Sequence, residues 1–89
     1  VNQLTRALAC ECAPHQITVN AVAPTFVRTP FTEKMFEDEK FKKYVIDSIP
    51  LARMATADEV AYATLFLVSG LVNMITGHIL TVDGSWTIK

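Results

Sequence analysis

Thr18-Val19-Asn20-Ala21-Val22-Ala23-Pro24-Thr25-Phe26-Val27-Arg28-Thr29-Pro30 is an apolar run that breaks into a proline-bounded loop. Its first half is built of small and β-branched residues and is apolar on both alternating faces, the pattern of a parallel strand covered by helices on each side. The spacing predicts a buried strand over 17–23. Pro24 lacks an N–H and fixes its own φ, so the chain is expected to leave the sheet there. That point is the carboxyl end of the strand, where open α/β sheets hold their ligands. The same spacing fits an ordinary strand-to-helix connection with no ligand.

Upstream, Val1, Leu4, Leu8 and Cys12 recur at helical spacing, with Asn2, Gln3, Arg6 and Glu11 elsewhere around the wheel. This predicts an amphipathic helix ending near Pro14, followed by a turn at His15-Gln16. Downstream, residues 31–49 mix acids, lysines and aromatics, with Phe41, Val45 and Ile49 four apart. A short helix and then a longer one are expected, both fairly exposed, with a loop over 51–55. Thr56-Ala57-Asp58-Glu59 has the form of a capping box, and Asp58 and Glu59 place negative charge at the positive end of the helix dipole. The apolar residues between Val60 and Val68 cover much of the wheel, which predicts a helix deeply buried against a sheet and closed by Ser69-Gly70. His78 to Val82 reads as a second strand and Asp83-Gly84-Ser85 as a turn. Two apolar strands separated by a long helical excursion imply a right-handed parallel crossover.

The chain has 89 residues, 51% of them apolar and 19% charged. Two strands do not make a stable sheet alone, so the apolar surplus calls for neighbours. Because the sequence opens at Val1 inside a helical pattern, it is expected to be a piece of a longer protein. A net charge of −1 and a pI near 6.1 leave no electrostatic footprint for nucleic acid or an anionic membrane. The longest apolar stretch is too short to span a bilayer. Cys10 and Cys12 point to different sides of a helix and cannot bridge each other, which reads as a reduced, cytoplasmic protein. With His15 and His78 they lack the paired spacing of a zinc site.

Several motifs now stand in order: Val19 to Pro24 with Thr29-Pro30, Ile49-Pro50-Leu51-Ala52-Arg53, Asp58-Glu59-Val60-Ala61, Ile75-Thr76-Gly77, and Leu80-x-Val82-Asp83-Gly84. Together they resemble the C-terminal part of short-chain dehydrogenases/reductases, over essentially the whole chain. Phe36 to Phe41 and Gly77 to Thr87 further resemble the sugar-acid members of that family. The resemblance implies an α/β fold, the C-terminal part of a doubly wound parallel Rossmann sheet, with 1–89 an incomplete portion of one NAD(P)-binding domain and 31–55 its substrate lid. It also implies NAD or NADP as cofactor, a secondary alcohol or ketone as small-molecule substrate, and a homotetramer.

By the same resemblance, main-chain groups near Pro24, Thr25 and Val27 meet the nicotinamide carboxamide, and the Thr29 hydroxyl bonds the carboxamide or the pyrophosphate. Thr25 stands where the family usually has glycine, and Ser85 replaces the second of a usual glycine pair. Phe31 and Phe36 are the candidates for substrate contact, although each lid aromatic taken singly reads better as packing of the lid onto the body. Asn20 is expected to satisfy backbone groups, Arg28 to serve a surface or subunit contact, Glu39 to pair with Lys43, and Trp86 and Ile88 to form an exposed subunit contact. No catalytic residue is expected within the chain. The family's tyrosine requires a lysine four residues on, whereas Tyr44 is followed there by Ser48 and Tyr62 by Phe66. Two further readings stand beside this one: a 3-oxoacyl-thioester reductase of the same family, and a non-catalytic oligomerisation or binding piece.

Overall fold

The computed structural model describes residues 2–88. Helix α1 (Asn2–Cys12) passes into a tight turn at Ala13–His15, where Pro14 falls in the first turn and breaks no hydrogen-bond ladder. Gln16 then reverses the chain with φ 61°. The expected apolar stripe does not face inward. Leu4 is 61% and Leu8 38% exposed, while Thr5 and Ala9, one turn apart, are buried. The helix turns its small-residue face to the sheet because the approach is close: a Cβ placed on Gly77 would lie 3.5 Å from that of Ala9. Val1, the first residue of the predicted stripe, lies outside the described residues.

Strand β1 (Ala21–Pro24) pairs in parallel with a later strand, Ile79–Val82, with Ala21 opposite Ile79 and Pro24 opposite Val82. Parallel strands need a long crossover. The segment between them supplies α2 (Pro30–Met35), α3 (Glu39–Ser48) and α4 (Ala57–Val68), which makes Ile79–Val82 strand β4. Strand β1 is shorter than predicted at its start and includes Pro24 as its last rung. Its start is displaced because side chains replace the ladder there. Asn20 Nδ2 donates to the Ile75 carbonyl at 3.0 Å, and Asn20 Oδ1 accepts from the His78 amide at 3.1 Å. Asn20 therefore has the backbone-satisfying role its sequence context predicted. The Val19 amide donates to Thr76 Oγ1 at 3.0 Å, while its carbonyl accepts from the Gly77 amide at 2.7 Å.

A second parallel pair joins β2 (Val27–Arg28) to β3 (Ala55–Thr56), inside what the sequence predicted to be loop at 51–55. Two-residue strands carry no periodicity, so nothing in the pattern announces them. The lid-like stretch 31–49 also departs from expectation. Instead of being fairly exposed, it holds the buried apolar cluster of Val45 at 0%, Ile49 at 2% and Phe36 at 8% exposure. Val45 on α3 and Ile49 at its C-terminal cap lie one turn apart, so one face of that helix is core while Lys40, Lys42, Lys43 and Asp47 remain exposed.

Helix α4 is the converse case. Predicted to be deeply buried, it has no buried residue, with Tyr62 at 68%, Leu65 at 59% and Val68 at 72% exposure. It meets β1 and β4, but its apolar residues cover more of the wheel than one small sheet can shield. No helix among the described residues is long and apolar enough to cross a membrane.

Candidate functional site

The loop from Thr25 to Thr29 leaves the carboxyl end of β1 beside that of β4, and its geometry is over-determined. Phe26 lends its carbonyl to the Ala55 amide at 3.1 Å. Thr32 Oγ1 donates to the Val27 carbonyl at 2.7 Å and accepts from the Thr29 amide at 2.8 Å. Thr29 Oγ1 in turn accepts from the Thr32 amide at 3.2 Å, completing a reciprocal cap on α2 with Pro30 in the first turn. Thr32 Oγ1 has two carbonyl acceptors in reach, Val27 at 2.7 Å and Thr29 at 3.0 Å, and with its one proton given to either, the Thr29 hydroxyl can donate to Thr32 Oγ1, at 3.2 Å, or to a ligand.

Thr25 does not take a positive φ, so the loop turns without the glycine conformation there. That conformation appears instead at Ser85, φ 77°, and at Ala52, φ 60°. The Ser85 value explains why a glycine pair suits the turn after β4. Ala52 is a strained position that the sequence did not flag.

A cleft of about 310 Å³ opens at the carboxyl ends of β1 and β4, bounded by Thr25, Arg53, Glu59, Asp83 and Ser85 among others. Its charged groups are already engaged. Arg53 Nη1 and Nη2 donate to Glu59 Oε1 and Oε2 at 2.7 and 3.0 Å, a two-bond fork, and Nη1 also reaches the Met54 carbonyl at 3.1 Å. Glu59 Oε1 accepts from the Thr56 amide at 3.0 Å while Thr56 Oγ1 accepts from the Glu59 amide at 3.1 Å, so the predicted capping box forms in full. The Arg53 guanidinium, followed by the Thr56 amide, holds the Glu59 carboxyl down at about 2. The Arg53 pKa is raised in return by the same hydrogen bond and charge. Asp83 is lowered chiefly by the Thr87 hydroxyl and amide, at 2.7 and 3.0 Å, and by the Ser85 amide. These carboxylates contribute fixed charge and rigidity and hold no proton near neutral pH.

Of the residues predicted from sequence, Thr25 borders the cleft, Pro24 ends β1, Val27 belongs to β2 and Thr29 caps α2. Phe31 is 73% exposed at the start of α2. Phe36 is a core residue that also touches a separate groove of about 210 Å³ with Arg28, Lys42 and Met54. Arg28 pairs with Glu33 at 2.8 Å on the surface. With Arg53–Glu59 it makes up the ion pairs among the described residues, so the expected Glu39–Lys43 pair does not form. Trp86 is likewise not an exposed contact: its ring lies 6.0 Å from that of Phe26 and packs against the core, while Ile88 remains 82% exposed. Arg53 and Asp83 had been read only as parts of motifs. The signal for the first is an arginine six residues before the glutamate of a capping box.

A parallel strand pair with helical crossovers, with a polar loop at the carboxyl ends of its strands, is the α/β arrangement of a doubly wound protein. The family model described as Enoyl-(Acyl carrier protein) reductase matches residues 1–87, and the chain belongs to the short-chain dehydrogenase/reductase family. It is 47% identical over 88 residues to galactitol 2-dehydrogenase of Rhizobium johnstonii, covering 98% of this chain and 34% of that protein. To a tropinone reductase homolog of Arabidopsis thaliana it is 42% identical over 89 residues, covering 100% of this chain and 34% of that one. Among solved structures, one from Agrobacterium tumefaciens, provisionally assigned as a 2-deoxy-d-gluconate 3-dehydrogenase and holding bound NADP, superposes with a TM-score of 0.93. It is 36% identical, with 99% of this chain and 36% of that chain covered. The chain thus spans about a third of the length of the curated relatives it matches.

Proposed function

We propose that this chain forms the nicotinamide-facing and substrate-facing wall of an NAD(P)-dependent oxidoreductase that interconverts a secondary alcohol and a ketone on a polyol or sugar acid. The observation that carries the reading is the rigid loop of residues 25–29 at the carboxyl ends of a parallel pair. Its donor set suits a carboxamide, which offers one acceptor and two donor hydrogens: the Thr29 hydroxyl has a proton to give, and the backbone around Pro24, Thr25 and Val27 is held still. In this reading those groups choose which face of the ring meets the substrate. When bound, the nicotinamide accepts or supplies the hydride.

Residues 31–55 act as the lid, with Phe31 as its accessible aromatic and Phe36 as the residue that packs it down. The similarity to galactitol 2-dehydrogenase and to the sugar-acid enzyme supports a polyhydroxylated substrate, and a gluconate 5-dehydrogenase-like activity is one form of it. The complete protein is cytoplasmic and tetrameric in this proposal. The test is the complete protein assayed with NAD and NADP against a panel of polyols, sugar acids and their ketones. Turnover on a member of the panel supports the reading. Failure to oxidise any alcohol or reduce any ketone with either coenzyme sinks it.

A second reading is reduction of 3-oxoacyl thioesters, which shares with the description of the matching family model only the acyl-carrier thioester, since that description names reduction of an enoyl group. Turnover of an acetoacetyl thioester in preference to every polyol would select it.

A further inference from the structure

We infer that Phe26 is a positioning residue, the ring on which the lid and the C-terminal turn converge to set the place of the nicotinamide-facing loop. The inference rests on the oxidoreductase reading above and concerns a residue to which that reading gives no role. Phe26 is the second of the two residues that join β1 to β2, and the strands on either side tie down the chain around it. Its ring meets three other aromatic rings from separate parts of the chain. Phe36, just after α2, lies 6.2 Å away, Phe41 of α3 lies 6.2 Å away edge-on, and Trp86 after β4 lies 6.0 Å away. Phe36 and Phe41 also meet each other edge-on at 5.9 Å. These separations fall in the range where aromatic pairs attract beyond simple burial.

The main chain of the same residue is fixed as well, since its carbonyl accepts from Ala55 at the far end of the lid region. The turn that delivers Trp86 is itself pressed onto that region: the Leu51 amide donates to the Gly84 carbonyl at 3.2 Å, and a Cβ on Gly84 would come within 2.7 Å of Ile49 Cγ2. The lid also holds the loop through Thr32 and the β2–β3 pair, but lid and tail meet each other on one loop side chain, whose backbone neighbours are Thr25 and Val27, the residues proposed to face the carboxamide. The ring of Phe26 is thus a direct route by which a shift of Trp86 reaches the coenzyme side of the loop.

The test is a double-mutant cycle in the complete protein, read as the coenzyme KM and kcat at saturating substrate. Phe26→Leu is expected to raise the coenzyme KM about fivefold or more, and Trp86→Leu to raise it by about threefold. The double variant should be no worse than Phe26→Leu alone, because the tail acts through the ring already removed. Ala9→Gly, a change at a buried position of α1 outside the aromatic cluster, should lower the melting temperature and leave the coenzyme KM where it was. Should Phe26→Leu fail to fold, Phe26→Met, whose unbranched flexible side chain fills irregular core space, carries the same expectation.

A coenzyme KM within twofold of wild type in a folded Phe26 variant overturns the inference, as do Phe26 and Trp86 effects that simply multiply. A wild-type protein inactive with both coenzymes overturns the functional reading and this inference together. An active wild type with an unmoved Phe26 variant overturns the inference alone.

Discussion

Glu59 shows how much one side chain can organise. It completes the cap of α4, accepts both bonds of the Arg53 fork, and has its carboxyl held at about 2 against an ordinary 4.5. A carboxylate whose folded value is lowered stabilises the fold fully above the ordinary value and loses that contribution as the pH falls through the folded one. Urea unfolding followed between pH 4.5 and 2 should therefore show an acid limb that Glu59→Gln flattens, and an unchanged limb in the variant would remove the fork from the account. Gly84 is constrained in another way, by φ +58° and by Ile49 Cγ2 at 2.7 Å from any added Cβ. Gly84→Ala should lower stability by roughly 1–3 kcal/mol, seen as a reduced melting temperature. At Thr29 the cap and the proposed ligand role separate by substitution. Thr29→Ser keeps both hydroxyl functions and should leave the coenzyme KM near wild type, whereas Thr29→Val loses the cap and should raise that KM roughly two- to tenfold. Equal KM values for the two variants would assign the hydroxyl to the cap alone.

Among the elements, α4 is the one whose start was readable and whose burial was not. Thr56 and Glu59 at capping-box spacing specify an N-terminus by local chemistry, and the bonds form as that chemistry requires. Burial depends on what lies across from a helix, which spacing within the helix cannot report. The same division runs through the rest of the chain. The pairing of β1 with β4 was legible because a continuous apolar run has few other uses, while β2 and β3 were not, being too short for any period. In α1 the leucines suggested the inward face, but the buried residues are Thr5 and Ala9, with Ala9 against Gly77. In the site, the loop of residues 25–29 was legible from its prolines; the convergence of Phe26 with Trp86 joins residues sixty apart and needed the fold. Because a helix of this length is marginal in water without a covered face, α4 leans on its cap. Thr56→Ala should cost about 1 kcal/mol. Hydrogen exchange at the amides of residues 57–60 should quicken roughly fivefold, the ratio that such a loss implies. Unchanged exchange would mean that packing on β1 and β4 holds the helix start by itself.

The dimensions of the molecule show what its two small sheets leave undone. A compact chain of this length has a radius of gyration of about 12 Å. Here the value is 15.7 Å, with extents of 50 × 22 × 20 Å. The buried cluster is small, Phe36, Val45 and Ile49, and Tyr62, Leu65, Phe66 and Val68 of α4 remain open. A wall of this shape can hold the loop that would face a nicotinamide, and the proposed division of labour puts the acid that protonates the carbonyl oxygen elsewhere in the complete protein. The cleft carboxylates Glu59 and Asp83 are held ionised by their partners. Neither tyrosine has a lysine four residues on, since Ser48 follows Tyr44 and Phe66 follows Tyr62 at that spacing. The 89-residue chain by itself, mixed with NAD or NADP and a polyol panel, is therefore expected to form no reduced nicotinamide above the uncatalysed background. The complete protein should form it under the same conditions. Steady formation by the chain alone, abolished by Tyr44→Phe or Tyr62→Phe, would show that the proton donor lies within these residues and that the division of labour proposed for the site is wrong.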